Sequence, residues 1–429
     1  METSRPKPEL VTPLLWALLY FISGYVSHWL NGPVHFTGYI WLPAGVTVAA
    51  FMLRPVHRWL PVCAAFLVAQ LALNGIEGVS LFHALLFTLD EVGPAALAVW
   101  LMRRIRFSLE GLYFLRSVVF SGVIAGSLGA LGGGAWYAWL NGASFWDVWS
   151  VWAASDFVGI VLVAPILASW SRFRVHRSGD HARFDIVFGI VLFMSLAVIS
   201  WFIFDGDSIE KFGLGFGFSM TYIPLFLTVA VTVLLGGRSG SLSVLILAII
   251  VILKTAQHNG PFAMLSGRQG DSLLEAQLFL AVASLLVLTV STLKTTRELV
   301  HVRAAALQNN MELALAGAEQ LAYVFDPTTG QIAWSGDVQL VFGLGIDPTM
   351  LANVPQVLER LHPDDRETLR NRWSAEAASA DRDPVSLRIA LRQGEQCTVL
   401  DRGAPLMDSN VDVTVIAGVW QIEHPYANV

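Results

Sequence analysis

The sequence predicts a polytopic all-α membrane bundle of about 8–10 transmembrane helices, followed by a small α+β domain with an antiparallel sheet. Three observations carry this. Of 429 residues, 55% are hydrophobic and only 14% charged, with a mean hydropathy of +0.58; soluble domains carry about 25% charged residues. The deficit is confined to residues 10–293, where one apolar run follows another, and the last third has an ordinary soluble composition. Twelve of the fifteen tryptophans precede residue 202, and Trp29, Trp41, Trp59, Trp146 and Trp170 sit at the ends of apolar runs, as an aromatic belt requires.

Ten spans are expected, at residues 10–30, 38–53, 59–75, 80–102, 113–140, 148–170, 184–204, 212–235, 239–256 and 273–293. A span needs about 20 residues. The second is short and runs at once into RPVHRWLP (54–61), so eight or nine spans stay open if a short pair is re-entrant. The first follows METSRPKPEL, is long for a signal peptide and lacks a clear A-x-A site, so it is expected to be retained. With the N-terminus in the cytoplasm, sixteen Lys and Arg flank the spans inside, and only Lys211, Lys254 and Arg268 lie outside. That asymmetry is the positive-inside pattern, and it places the C-terminal domain in the cytoplasm as well.

Leu286, Leu293, Val300 and Leu307 recur every seven residues, which predicts that the last span continues as a helix beyond the bilayer. The positions four further on include Arg297, so an amphipathic connector and a dimer-forming helix are both open readings. The expected organisation is a membrane domain over 1–295, a helical connector over 296–315 and a cytoplasmic domain over 316–429. In the last of these, LAYVFD (321–326) and GQIAWSG (330–336) flank PTTG as a hairpin, and HPDDRETLRNRWSAEAA (362–378) begins a helix. Three further strands are expected in PVSLRIALR (384–392), EQCTVLDRG (395–403) and NVDVTVIAGVWQI (410–422), with turns at Gly394 and at 408–410. A net charge of −6 leaves no nucleic-acid footprint. Cys63 and Cys397 fall in different domains and form no disulfide framework.

Candidate chemistry lies in the membrane half. WAASDFVGIVLVAPILASW (152–170) is apolar except for Asp156, and LFTLDEVGPAAL puts Asp90 and Glu91 near the middle of the fourth span. Acids in a lipid-surrounded helix are costly and face protein or a cavity. His83 lies two turns before Asp90, and Asn74 lines the preceding turn. Adjacent residues point about 100° apart, so Asp90 and Glu91 cannot both fully face one cavity. The functional reading is a polar pocket of Asn74, His83, Asp90, Glu91 and Asp156 that takes a cation, a proton or a small hydrogen-bonding ligand. The structural reading is that each acid is protonated, or bonds a neighbouring helix and fixes packing. Pro94 and Pro165 each free a carbonyl one turn back, which makes a signalling kink or a tolerated membrane proline. Small residues such as Gly122, Gly126 and Gly133 favour close helix packing. In HPDDR, His362 caps a helix, Pro363 suits its first position, and Asp364 and Asp365 complement its dipole. No metal site is expected.

Two resemblances follow. IWLPAGVTVAAFML (40–53), RWLPVCAAFLVAQLALN (58–74) and above all the W…D..G core of 152–170 resemble the membrane-associated sensor domain, type 1, a bacterial integral-membrane input module. That resemblance implies a multi-pass protein of the bacterial inner membrane, eight spans rather than ten, and a position ahead of kinase, PAS, GGDEF or EAL modules. Asp326–Ser335 (D..TG.I.WS), HPDDR and DRGAPLMDSN (401–410) resemble a PAS domain. Here GVWQIEHP (418–425) stands where Asp-Ile-Thr is common. No flavin-linking cysteine motif or haem-ligating histidine is visible, so no cofactor is identified and any ligand of the PAS pocket is unknown. No catalytic module of the kinase, GGDEF, EAL or P-loop type is found. The expectation is therefore a non-enzymatic sensor in the lipid bilayer, homodimeric, acting on a downstream effector in a partner or beyond residue 429. A transporter with a regulatory domain and a dimerising membrane scaffold are the alternatives.

Overall fold

The computed structural model describes residues 11–31, 38–78, 80–105, 107–109, 111–171, 183–205, 213–263, 271–374, 383–391, 395–407 and 413–423. The expected turns at Gly394 and 408–410, and the basic segment holding Arg172, Arg174 and Arg177, lie outside these residues. The chain divides into two compact units, Met1–Glu298 and Leu299–Val429.

The first unit is all-helical: α1 (Val11–Asn31), α2 (Leu42–Leu53), α3 (Trp59–Glu77), α4 (Leu81–Ile105), α5 (Gly111–Asn141), α6 (Phe145–Ser171), α7 (Arg183–Ile203), α8 (Leu214–Met220), α9 (Tyr222–Leu235), α10 (Gly237–Ala256), α11 (Gly260–Ala263) and the start of α12 (Asp271–Gly317). Among the described residues, eight helical stretches of 19 to 45 residues are long and apolar enough to cross a membrane. They are the third to tenth expected spans. The 21-residue α1 is not among these eight stretches.

The second expected span is not a continuous helix. Residues 38–41 are non-helical, and the 12-residue α2 that follows is buried along eleven of its residues. Twelve residues make about 18 Å of helix, short of the roughly 30 Å hydrocarbon core. Irregular backbone at that depth is tolerated only where protein covers it, and α1, α4 and α6 pack around α2. The close approach to α6 depends on two glycines. A Cβ on Gly159 would overlap the Trp41 carbonyl, and one on Gly45 would overlap the Gly159 carbonyl. At its other end, the Arg103 guanidinium donates to the carbonyls of Phe51 (3.0 Å), Met52 (3.0 Å) and Arg54 (2.7 Å), closing the last turn of α2. The small-residue stripe of α5 packs as its spacing predicts: Gly122 meets Phe157, Gly126 the Ala153 carbonyl and Gly133 the Trp152 ring.

The last helix, α12, runs unbroken for 47 residues, so the heptad pattern does extend the final span. The second unit continues from it. Two strands, β1 (Gln320–Asp326) and β2 (Gln331–Ser335), precede short helices α13 (Val338–Phe342), α14 (Val354–Arg360) and α15 (Arg366–Arg372), then β3 (Val385–Ala390), β4 (Gln396–Asp401), β5 (Ala404–Met407) and β6 (Val413–Ile422). The antiparallel sheet has the order β2-β1-β6-β4-β3, with β5 also on β6. The sequence predicts five strands; β5 is additional. It is only four residues long, contains Pro405, and gains its pairing from β6 rather than from any alternating pattern of its own. Its neighbours fill one core around Tyr323, Trp334, Phe342, Trp373 and Trp420.

Candidate functional site

Asp90 and Glu91 lie mid-helix on α4 and, as the 100° rule requires, turn to different neighbours. Glu91 turns towards α1 and α2. Its Oε2 accepts a hydrogen bond from the Tyr20 hydroxyl, and its Oε1 lies 3.4 Å from the Thr47 hydroxyl. Tyr20 also stands 3.0 Å from Gln70 Oε1 on α3 and is fully buried. One hydroxyl carries one proton. Two acceptors around it therefore require a second proton, from the Gln70 amide turned the other way or from Glu91 itself.

Asp90 turns towards α5, where a Cβ on Gly132 would overlap its carboxylate. Pro94, four residues on, removes the amide that would have bonded the Asp90 carbonyl. That carbonyl lies 3.2 Å from where a Cβ on Gly129 would stand, and Asp156 Oδ2 lies 3.4 Å from the same point. So Asp90 from α4 and Asp156 from α6 meet the same glycine. The charges acting at Asp156 are those of Glu91 and Asp90, and no donor among the described residues reaches its carboxylate. Three half-buried acids thus converge among α1, α2, α4, α5 and α6 with no basic side chain among their described partners.

Of the other candidates, Asn74 is buried on α3 one turn past Gln70, and its amide nitrogen meets no partner among the described residues. His83 belongs to α4, but its side chain lies outside the described set. Pro165 stands inside α6 beside a small cavity lined by Val161, Leu162, Ser241, Val244 and Ser284. Val161 is the residue whose carbonyl Pro165 frees, and Ser241 and Ser284 are hydroxyls on α10 and α12 facing the same space. Sequence reasoning misses Tyr20, Thr47, Gln70, Gly129 and Gly132. A hydroxyl or amide in an apolar run is common and harmless alone, so only the fold distinguishes those that reach the acids. Among the described residues, no three His, Cys, Asp or Glu side chains are arranged to hold a metal ion.

In the second unit the HPDDR segment is structural in its contacts. The Pro363–Asp365 turn is capped by His362 Nδ1, 3.4 Å from the Asp364 amide. Asp365 accepts from the Arg388 amide at 2.8 Å and from the Arg388 guanidinium at 2.9 and 2.8 Å, tying the turn to β3. Asp401 is fully buried, 2.7 Å from Arg372 Nε and 2.9 Å from the Tyr323 hydroxyl. Burial, and then the Asp401 charge, pushes the Tyr323 hydroxyl up from its ordinary pKa.

Comparison with known proteins bears on these observations unequally. A crystal structure titled sensory box histidine kinase/response regulator, from Burkholderia thailandensis E264, is 24% identical over 26% of this chain and 81% of that one. Its TM-score of 0.20 gives it no weight for the fold. No curated protein matches. Residues 11–298, which hold α1 to α11, all three acids and the membrane part of α12, match the MASE1 family. With two-thirds of its length covered, eight membrane-crossing stretches and acids gathered inside the bundle, the chain is a multi-pass membrane protein that belongs to the MASE1 family of sensor domains.

Proposed function

We propose that this chain is the input half of a signalling protein of the bacterial inner membrane, with its N-terminus and second unit in the cytoplasm. The carboxyl groups of Asp90, Glu91 and Asp156 take up a proton. The resulting shift of the bundle passes along α12 to the second unit, a PAS-like relay, which acts on a downstream effector. The observation that carries this is the convergence of three acids, from two helices, without a basic partner among the described residues. Mutual repulsion and burial favour the protonated form of such a group, and a proton that favours one arrangement of the bundle shifts its population. Exposure of Leu293, Val300 and Leu307 along α12 fits a homodimer packed through that stripe.

The test is a reporter enzyme fused after residue 429 in cells or nanodiscs, with external pH, sodium and potassium varied one at a time. Asp156→Asn and Asp90→Asn should abolish the response; an undiminished response in both variants overturns the reading. A transporter is the second reading, favoured by the broken span at residues 38–53, since interrupted helices frame substrate sites in transporters. Saturable uptake into proteoliposomes would select it.

A further inference from the structure

We propose that Gln277 is the coupling residue through which the broken second span is sensed by α12. This rests on the acid cluster being the input site. Gln277 lies two turns into the 47-residue α12 and is almost wholly buried, at 1% exposure. Its Nε2 donates to the carbonyls of Gly38 at 3.0 Å and Tyr39 at 3.2 Å in the non-helical segment, and to the Val151 carbonyl of α6 at 3.2 Å. The amide orientation is fixed by chemistry, because the opposite flip would set an oxygen against three carbonyl oxygens. Two N–H bonds face three acceptors, so two of the carbonyls share one proton. The Oε1 atom is buried and has no partner among the described residues. A packing role alone would be filled more cheaply by an apolar side chain.

Both elements that Gln277 touches lead to the acids. Residues 38–41 lead into α2, held at its start by the Leu42 amide on Ser27 Oγ at 3.0 Å and by the Trp41 amide on the Ser155 carbonyl at 3.4 Å. Five residues further, Thr47 reaches Glu91. On α6, Val151 lies five residues before Asp156, and Ser155 adjoins it. Neutralising the acids lets α2 and α6 move against each other at the crossing where Gly45 and Gly159 bring their backbones together. The Gln277 amide spans that very joint, so it must lose one carbonyl or draw α12 with it. It is a positioning residue: it transmits the state of the site and need not touch the ligand.

The experiment uses the full chain with the fused reporter, in nanodiscs, with protons as the probe. The carboxyl-stretch infrared difference reads the acids, and the reporter reads the output. Gln277→Leu, with Gln277→Asn as the milder change if the first fails to fold, should leave the infrared difference as in the unsubstituted chain. The reporter response should fall about tenfold or more, within the range of ordinary coupling free energies. A merely structural role would lower both signals together, and that outcome overturns the proposal. Undiminished output with a normal infrared difference removes the coupling role alone. An unsubstituted chain with no infrared difference removes the acid-cluster reading, and the coupling role with it.

Discussion

Single side chains decide what each unit does with charge. In the bundle, Tyr20 joins α1, α3 and α4 through one hydroxyl between Gln70 and Glu91, and nothing in LLYFISG marks it as a partner for an acid seventy-one residues away. In the second unit, the Arg388 guanidinium bonded to Asp365 holds that carboxyl below the usual carboxylate range, against a smaller upward push from burial. The folded pKa is depressed, so the contribution of Asp365 to stability is fully present above its unfolded pKa of about 3.9. It is lost as pH falls through the lower folded value. Pulse proteolysis of the second unit at a series of pH values should therefore show acid destabilisation in the unsubstituted chain. Asp365→Asn should lower stability near neutral pH and flatten that acid slope; a slope of unchanged steepness would show that other groups produce it. The motif HPDDR was legible as a helix start from Pro363 and its two acids, but its tie to β3 was not, because the partner lies twenty-three residues on.

At the scale of elements, the second span separates what hydropathy reports from what packing does. Residues 38–53 are apolar enough to suggest a crossing, yet helix forms only from Leu42. The non-helical part is held by groups from α6 and α12, as buried backbone without its own ladder must be. The Gly45 and Gly159 crossing makes this testable. Gly159→Ala should destabilise the protein in detergent unfolding by about 1–3 kcal/mol, because the added methyl overlaps the Trp41 carbonyl and α2 must move. Gly75→Ala on α3, where nothing lies within 4 Å, should be neutral or stabilising by up to about 1 kcal/mol. Equal effects would mean that the crossing is not tight. The spacing of Asp156 and Gly159 puts both on one face of α6, so the sequence hinted that this face meets a neighbour. It gave no sign that the neighbour was a short helix from the second span.

For the whole molecule, the division at residue 298 separates two kinds of stability. The first unit is an all-helical bundle whose outer faces remain apolar, such as the exposed Leu60, Leu89 and Trp139. The second has a closed core drawn from residues 321–420 alone. A fragment of residues 299–429 should accordingly fold in water with a single cooperative thermal transition; a fragment that stays unfolded or aggregates would show that its core needs the bundle. The sequence by itself determined the class of each half, the approximate spans, the run of α12 beyond the bilayer and the presence of costly acids within lipid-facing stretches. These are local sums over neighbouring residues, and hydropathy and periodicity add along the chain. Only the tertiary structure decided that Glu91 meets Tyr20, that Asp90 and Asp156 share Gly129, and that Gln277 holds the broken span. Each depends on how a helix is rotated about its axis, where one residue turns a side chain by about 100°, and that rotation is set by packing against segments far away in sequence.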